Sequence, residues 1–167
     1  MKVKTLTTRP KSKPKLLKRK AVSPVNAVSR FIAREHLQSA NIGWTGPNFQ
    51  HLFLNKVEEN IPAGKIAVHT LIKGSLDPEI MVELGRTKRV IFLADFFDLL
   101  KKQAKGQVDP LLTSGEANVA YCIANDGNIW AVNAYWNSFD RCWYVGAGSV
   151  GGRNGWGAGY LVLSQAV

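Results

Sequence analysis

The chain has 167 residues, of which 46% are apolar, 20% charged and 10% aromatic, a balance that suits one globular domain with an appendage. No apolar run approaches the roughly 18 residues that span a bilayer, and the start lacks the apolar core and small-residue cleavage site of a secretory signal, so a soluble cytoplasmic protein without membrane contact is expected. Two cysteines and three histidines, none at ligand spacing, exclude a disulfide scaffold and a recognisable zinc framework, and no cofactor or metal is expected.

The net charge of +10 is concentrated at one end. Residues 1–20 hold nine Lys or Arg and no acid, leaving 13 basic against 12 acidic residues elsewhere. Pro10 and Pro14 interrupt this stretch, and Val3, Leu6, Leu16 and Leu17 are its only large aliphatics. Residues 1–22 therefore read as a disordered basic tail that cannot bury enough surface to offset ordering. Lys11, Lys13, Lys15, Lys18, Arg19 and Lys20 are its candidate contacts to nucleic-acid phosphates, non-specific and salt-sensitive, without the aromatic residues of a stacking platform.

Residues 23–167 read as a single α+β domain. Ser23 and Pro24 resemble a cap followed by a first-turn proline, with Val25, Val28, Phe31 and Ile32 at helical spacing. Gly46 and Pro47 open a second helix carrying Phe49, Leu52, Phe53 and Val57, ended by Pro62. Lys65–Lys73 alternates as a half- or fully buried strand. Asp77 and Pro78 begin a short helix with Ile80 and Leu84 that stops at Gly85. The strongest helical stripe follows, with Leu93, Phe96, Phe97, Leu100 and Ala104 inward, Asp98 reaching Lys101 and Lys102 outside, and Gly106 as the stop.

From Ala117 to Val150 the pattern is strand, turn, strand, turn, strand. Asp126 and Gly127 suggest a two-residue hairpin loop of the positive-φ kind. That register puts Ile123, Tyr121 and Val119 opposite Trp130, Val132 and Ala134. A four-residue loop at Asn137–Asp140 then places Ala147, Val145 and Trp143 opposite those three, giving an apolar face for the two aromatic helices to cover. Asn118, Asn133, Tyr135 and Tyr144 fall on the opposite, more polar face. Cys122 and Cys142 share that face on outer strands, too far apart to bridge. A glycine-rich loop with Arg153 and Trp156 leads to a closing strand at Tyr160–Ser164, and its glycines permit close approach of backbone.

Several motifs look catalytic and lack their context. Gly146, Gly148 and Gly151 satisfy G-x-G-x-x-G, yet no helix opens there and no acid follows Asp140. Ser149 lies between glycines, but no histidine lies downstream of His69. A thiol enzyme built on Cys122 or Cys142 needs one of His36, His51 or His69 brought close. Asp95, Asp98, Glu116, Asp126 and Asp140 sit mostly where caps, turns or a wet helix face explain them.

Thr70 to Ser164 resembles a family of short, uncharacterised proteins common in genomes of candidate-phyla bacteria. The likeness runs through Lys73-Gly74-Ser75, Glu83-Leu84-Gly85, Phe97, Leu99-Leu100, Gln103 and Gly106, then Leu111-Leu112-Thr113, Gly115 and Ala117-Asn118. It continues in Asp126-Gly127, Trp130-Ala131-Val132, Trp136, Trp143, Ser149-Val150, Trp156, Gly159 and Val162. Gly151 and Gly152 stand where that family has an acidic residue and a proline. The resemblance implies a family and no activity.

The expectation is thus an α+β fold, an antiparallel meander of three to four strands with helices packed on one face. The first functional expectation is a non-catalytic binding domain for a protein or small ligand, using Asn118, Asn133, Tyr135, Tyr144, Arg153 and Trp156. Nucleic-acid association through the tail and a thiol-dependent enzyme are the alternatives.

Overall fold

The structure, a computed structural model, describes residues 15–153 and 155–166. In chain order it contains β1 (Leu17–Val25), β2 (Val28–Ile32), a 3-10 turn at Ala33–His36, β3 (Ile42–Thr45), α1 (Pro47–Leu52), β4 (Val57–Ile61) and β5 (Gly64–Leu71). There follow β6 (Ser75–Leu76), α2 (Asp77–Leu84), α3 (Leu93–Lys102), β7 (Asn118–Ile123), β8 (Ile129–Asn137), β9 (Cys142–Ser149), β10 (Gly155–Trp156) and β11 (Leu161–Gln165).

The expected architecture is corrected. The β7-β8-β9 meander exists, but it is the middle of a seven-stranded mixed sheet of order β1-β5-β11-β7-β8-β9-β3, and strand outweighs helix. β11 runs antiparallel to β5 and parallel to β7, and β3 runs parallel to β9. Nor do the helices keep to one face. Phe49 and Phe53 of the α1 segment and Phe96 and Phe97 of α3 pack with Val132, Trp143 and Val145 on the first face. On the second, Ile80, Met81 and Leu84 of α2 pack with Leu71, Val119, Tyr121 and Val162.

The N-terminal reading also changes. β1 begins at Leu17, inside the stretch assigned to the tail, and the Glu83 carboxylate accepts the backbone N–H groups of Leu16 at 2.7 Å and Leu17 at 2.6 Å. Residues 1–14, with Lys11 and Lys13, lie outside the described residues. Instead of a helix from Ser23, the chain continues as strand, because Val22, Val25, Val28 and Ile32 are β-branched and Pro24 sits on an edge strand that tolerates its missing donor. Lys18, Arg19 and Lys20 put charge on that edge, and Lys20 is the unpaired residue of a bulge, 3.0 Å from the Asp109 carboxylate. β5, α2 and α3 fall where their patterns place them, and Asp98 pairs with Lys102 at 3.1 Å. The second helix is shorter than expected: α1 ends at Leu52, and Val57 lies exposed on β4.

The register of the first hairpin differs by one residue. The expected loop needs positive φ at both central positions, but only Gly127 has it, at φ 79°. Ala124 N donates to Asn128 O at 2.9 Å and closes a three-residue loop. Asp126 holds it, accepting the Asn128 N–H at 2.9 Å and the Trp130 indole N–H at 3.0 Å. The resulting pairs are Ile123 with Ile129, Tyr121 with Ala131 and Val119 with Asn133. A one-residue slip exchanges the faces of a strand. Ala120 and Cys122 therefore join the aromatic core under α3, and Val119 and Tyr121 turn toward α2. The second hairpin is shifted by two, pairing Trp136 with Trp143 and Ala134 with Val145, so its faces stand as expected. One consequence is that Cys122 and Cys142 lie on opposite faces, corrected from the same face, and both are free.

Buried polar side chains join these layers. Asn118, fully buried, accepts the Leu112 N–H at 2.8 Å and donates to Leu112 O and Ala134 O, each at 3.1 Å. Glu58 accepts the Leu93 and Ala94 N–H groups at 3.0 and 2.9 Å, capping α3 where Phe92 supplies no side-chain cap. Asp77 accepts the Tyr121 hydroxyl at 2.7 Å and the Trp156 indole N–H at 2.6 Å.

Two predictions follow from these groups. Asn118→Ala leaves two backbone carbonyls and an N–H without their side-chain partner at a largely buried position, and should lower unfolding free energy in urea by about 2–4 kcal/mol. Asp95, in the first turn of α3, is 4% exposed, and its Oδ1 has no hydrogen-bond partner among the described residues. Burial, then the Glu58 and Asp98 charges, push its carboxyl up to about 6. Because the folded value exceeds the unfolded one, the native state holds this proton more tightly. Its stabilising effect is complete below the unfolded value and is lost as pH rises through about 6. Asp95→Asn should thus raise stability at pH 7 by about 1–2 kcal/mol, less whatever the helix N-terminus loses with the charge, and the gain should vanish below about pH 4. Chemical denaturation across that range checks both the sign and the window.

Candidate functional site

On the second face, α2 packs against β5, β11, β7 and the start of β8 at Ile129 and Ala131, while the part formed by the rest of β8 with β9 and β3 stays open. Strand alternation brings Asn133 and Tyr135 of β8 beside Gly146 and Tyr144 of β9. β3 adds Trp44 next to Tyr144, across an irregularity at Gly43. That glycine is required, because a Cβ there would lie 2.4 Å from the Cys142 sulfur. Ring centroids are 5.6 Å apart for Trp44 and Tyr144, tilted by 34°, and 5.5 Å for Tyr144 and Tyr135, tilted by 59°. Trp44 is 46% exposed.

Beside this strip lies a cleft of about 360 Å³, lined by Trp44, Gly46, Pro47, Asn48, Asn133, Tyr135, Gly146 and Ala147, all uncharged. Asn48 is oriented by its amide, which donates to Ala147 O at 3.2 Å. The Asn133 amide, the Tyr135 hydroxyl and the Trp44 indole N–H make no hydrogen bond among the described residues. The Tyr144 hydroxyl donates to the Asp140 carboxylate, which pushes the phenol up to about 12 and keeps it protonated. The site can offer flat apolar rings and neutral hydrogen-bonding groups, with the Asp140 carboxylate engaged by the Tyr144 hydroxyl.

Of the residues read as ligand-binding, the fold brings Asn133, Tyr135 and Tyr144 together. Asn118 is committed to Leu112 and Ala134. Trp156 is half-buried against Asp77 and Tyr160, plugging the end of the sheet, and Arg153 sits in an exposed loop. Lys18, Arg19 and Lys20 are on β1, at the opposite edge of the sheet from β3, and Lys15 precedes that strand. Trp44 and Asn48 are the members that sequence reasoning missed. Trp44 lies in a stretch without periodicity, Asn48 is a polar residue at the start of α1 away from the stripe that marks that helix, and only the pairing of β3 with β9, about a hundred residues away, places them here.

Reactive groups elsewhere are closed off. Burial, then Glu58, pushes the Cys122 thiol far up, and burial raises Cys142 as well. His69 Nε2 lies 2.9 Å from Ser164 Oγ, the separation of a base and its nucleophile, but Ser164 is 3% exposed and no substrate reaches it. Burial and neighbouring Arg19 lower His69 further. Among the described residues no group of three or more His, Cys, Asp or Glu is arranged to hold a metal, and no helix is long and apolar enough to cross a membrane.

No protein family, curated protein or solved structure matches the chain.

The thiol geometry gives a direct expectation. At pH 8 a disulfide reagent should label neither cysteine of the native protein within minutes, and should label both in denaturant. Rapid labelling of the folded protein contradicts the burial described above.

Proposed function

We propose that this protein is a small non-catalytic binding domain whose ligand seats on Trp44, Tyr144 and Tyr135, with Asn133 as its polar contact. The observation that carries the reading is the unequal treatment of the second face. Helix α2 closes one part of it over aliphatic side chains, while the other part keeps three contiguous aromatic rings and an amide without an internal partner in the open. Single exposed apolar residues need no explanation, but a contiguous aromatic patch rimmed by polar groups is the surface that binding uses. The uncharged lining favours an uncharged ligand. Nucleic-acid association through the tail has weaker support, since Lys20 is engaged with Asp109 and its neighbours serve the sheet edge. A thiol enzyme has none, because both sulfurs are buried.

A fragment screen by NMR tests the location without presupposing a ligand. Hits should cluster on the Trp44 indole and Asn133 side-chain amide signals, and Trp44→Ala should remove most of them while the protein still melts cooperatively. Hits gathering instead at the exposed apolar cleft of Val57, Phe92 and Ile123 would move the site and refute the reading.

A further inference from the structure

Resting on that reading, we infer that the ligand of the Trp44–Tyr144–Tyr135 face is an uncharged saccharide chain. A pyranose ring has one apolar face of C–H groups and a rim of hydroxyls. The C–H groups are the positive ends of weak dipoles and suit the negative face of an aromatic ring, while the hydroxyls need fixed donors and acceptors beside it. Both are present. Trp44 and Tyr144 offer ring surface, and the Asn133 amide supplies an acceptor and two donors to a hydroxyl at the ring's edge, with the Tyr135 hydroxyl and Trp44 N–H nearby.

The other polymers that use aromatic surfaces fit less well. A proline-rich helix docks in grooves between aromatic rings, and Trp44 and Tyr144, with centroids 5.6 Å apart, are already in contact and leave no gap for a proline. A nucleic-acid strand stacks its bases but also needs cations along its phosphates. No Lys or Arg lines the cleft, and the charge placed on the adjoining aromatic strip, at the Tyr144 hydroxyl, is the Asp140 carboxylate. The three rings lie on adjacent strands, so the strip is roughly 10 Å long. That length seats consecutive rings of a chain better than one monosaccharide.

The test is an NMR titration of the full chain with cellohexaose, xylohexaose, chitohexaose and mannohexaose, with glucose, decaproline and a uridine decamer in parallel. At least one hexasaccharide should shift the Trp44 indole and Asn133 amide signals and bind at least tenfold tighter than glucose. Trp44→Ala and Asn133→Ala should each weaken it about tenfold or more, while Trp44→Phe retains most of the affinity. Gly146→Ala is a second probe. Its methyl would meet Asn133 Oδ1 at an ordinary 3.5 Å, so the fold stands, and binding should fall because the floor of the cleft rises. If no hexasaccharide binds, the saccharide proposal is overturned. If decaproline or the uridine decamer then moves the same signals, the binding face survives with another ligand class. If nothing moves them, fragments included, the binding-face reading falls too.

Discussion

The backbone hydrogen bonds of β11 hold the two parts of this sheet together. β5 has β1 on its other side and β7 has β8, so without Leu161–Gln165 two strands buried on both faces would present unpaired N–H and C=O groups to each other across a gap. β11 pairs with β7 only through Leu161 and Val162, and Val90 and Ile91 take up the ladder at Tyr121. The last strand of the chain thus lies between an element that starts at residue 64 and one that starts at 118. Its alternation serves both cores, Leu161 and Leu163 toward α3 and Val162 toward α2.

Polar side chains fill the places where backbone groups lack a ladder partner, and one of them, Asn118, is a residue that the sequence offers as a site candidate. Asn118 substitutes for backbone partners of Leu112, Gln103 does the same for Leu111, Glu58 caps α3, and Asp77 gathers Tyr121 and Trp156. Each lies at a junction between irregular chain and a regular element, where backbone groups have no ladder to join. The amide of Asn133 is different. It projects from the middle of a strand whose backbone is already paired on both sides, so nothing in the fold requires its hydrogen bonds. The same test separates Trp156, whose N–H is committed, from Trp44, whose N–H is open.

The open face is also built to stay open. Gly146 places no side chain beside Asn133, and the ring of Tyr144 is held by Asp140 at one end and by Trp44 along its side. Ordering these rings against one another lowers the entropy still to be lost when a ligand arrives. The strip therefore combines a rigid aromatic surface with an unfilled floor.

Local chemistry made several features legible from the sequence alone. The α3 stripe, the Asp77-Pro78 helix start with its stop at Gly85, the alternating β5 and the three strands of the meander each depend on neighbours a few residues away, and each lies where its pattern places it. The aromatic helices cover the first face as Phe49, Phe53, Phe96 and Phe97 suggested. Other features were decided in three dimensions. Asp-Gly signals a turn, but whether it holds two residues or three depends on what the Asp126 carboxylate finds to bind, and that single residue decided the face of Val119, Tyr121 and Cys122. Ser-Pro resembles a helix cap until an adjacent strand makes β1 an edge. Trp44 joins Tyr144 only because β3 pairs with β9. Periodicity and turn residues report the chain's conformation over a few residues, whereas register, the insertion of β11 and the composition of the open face depend on contacts between segments far apart in sequence.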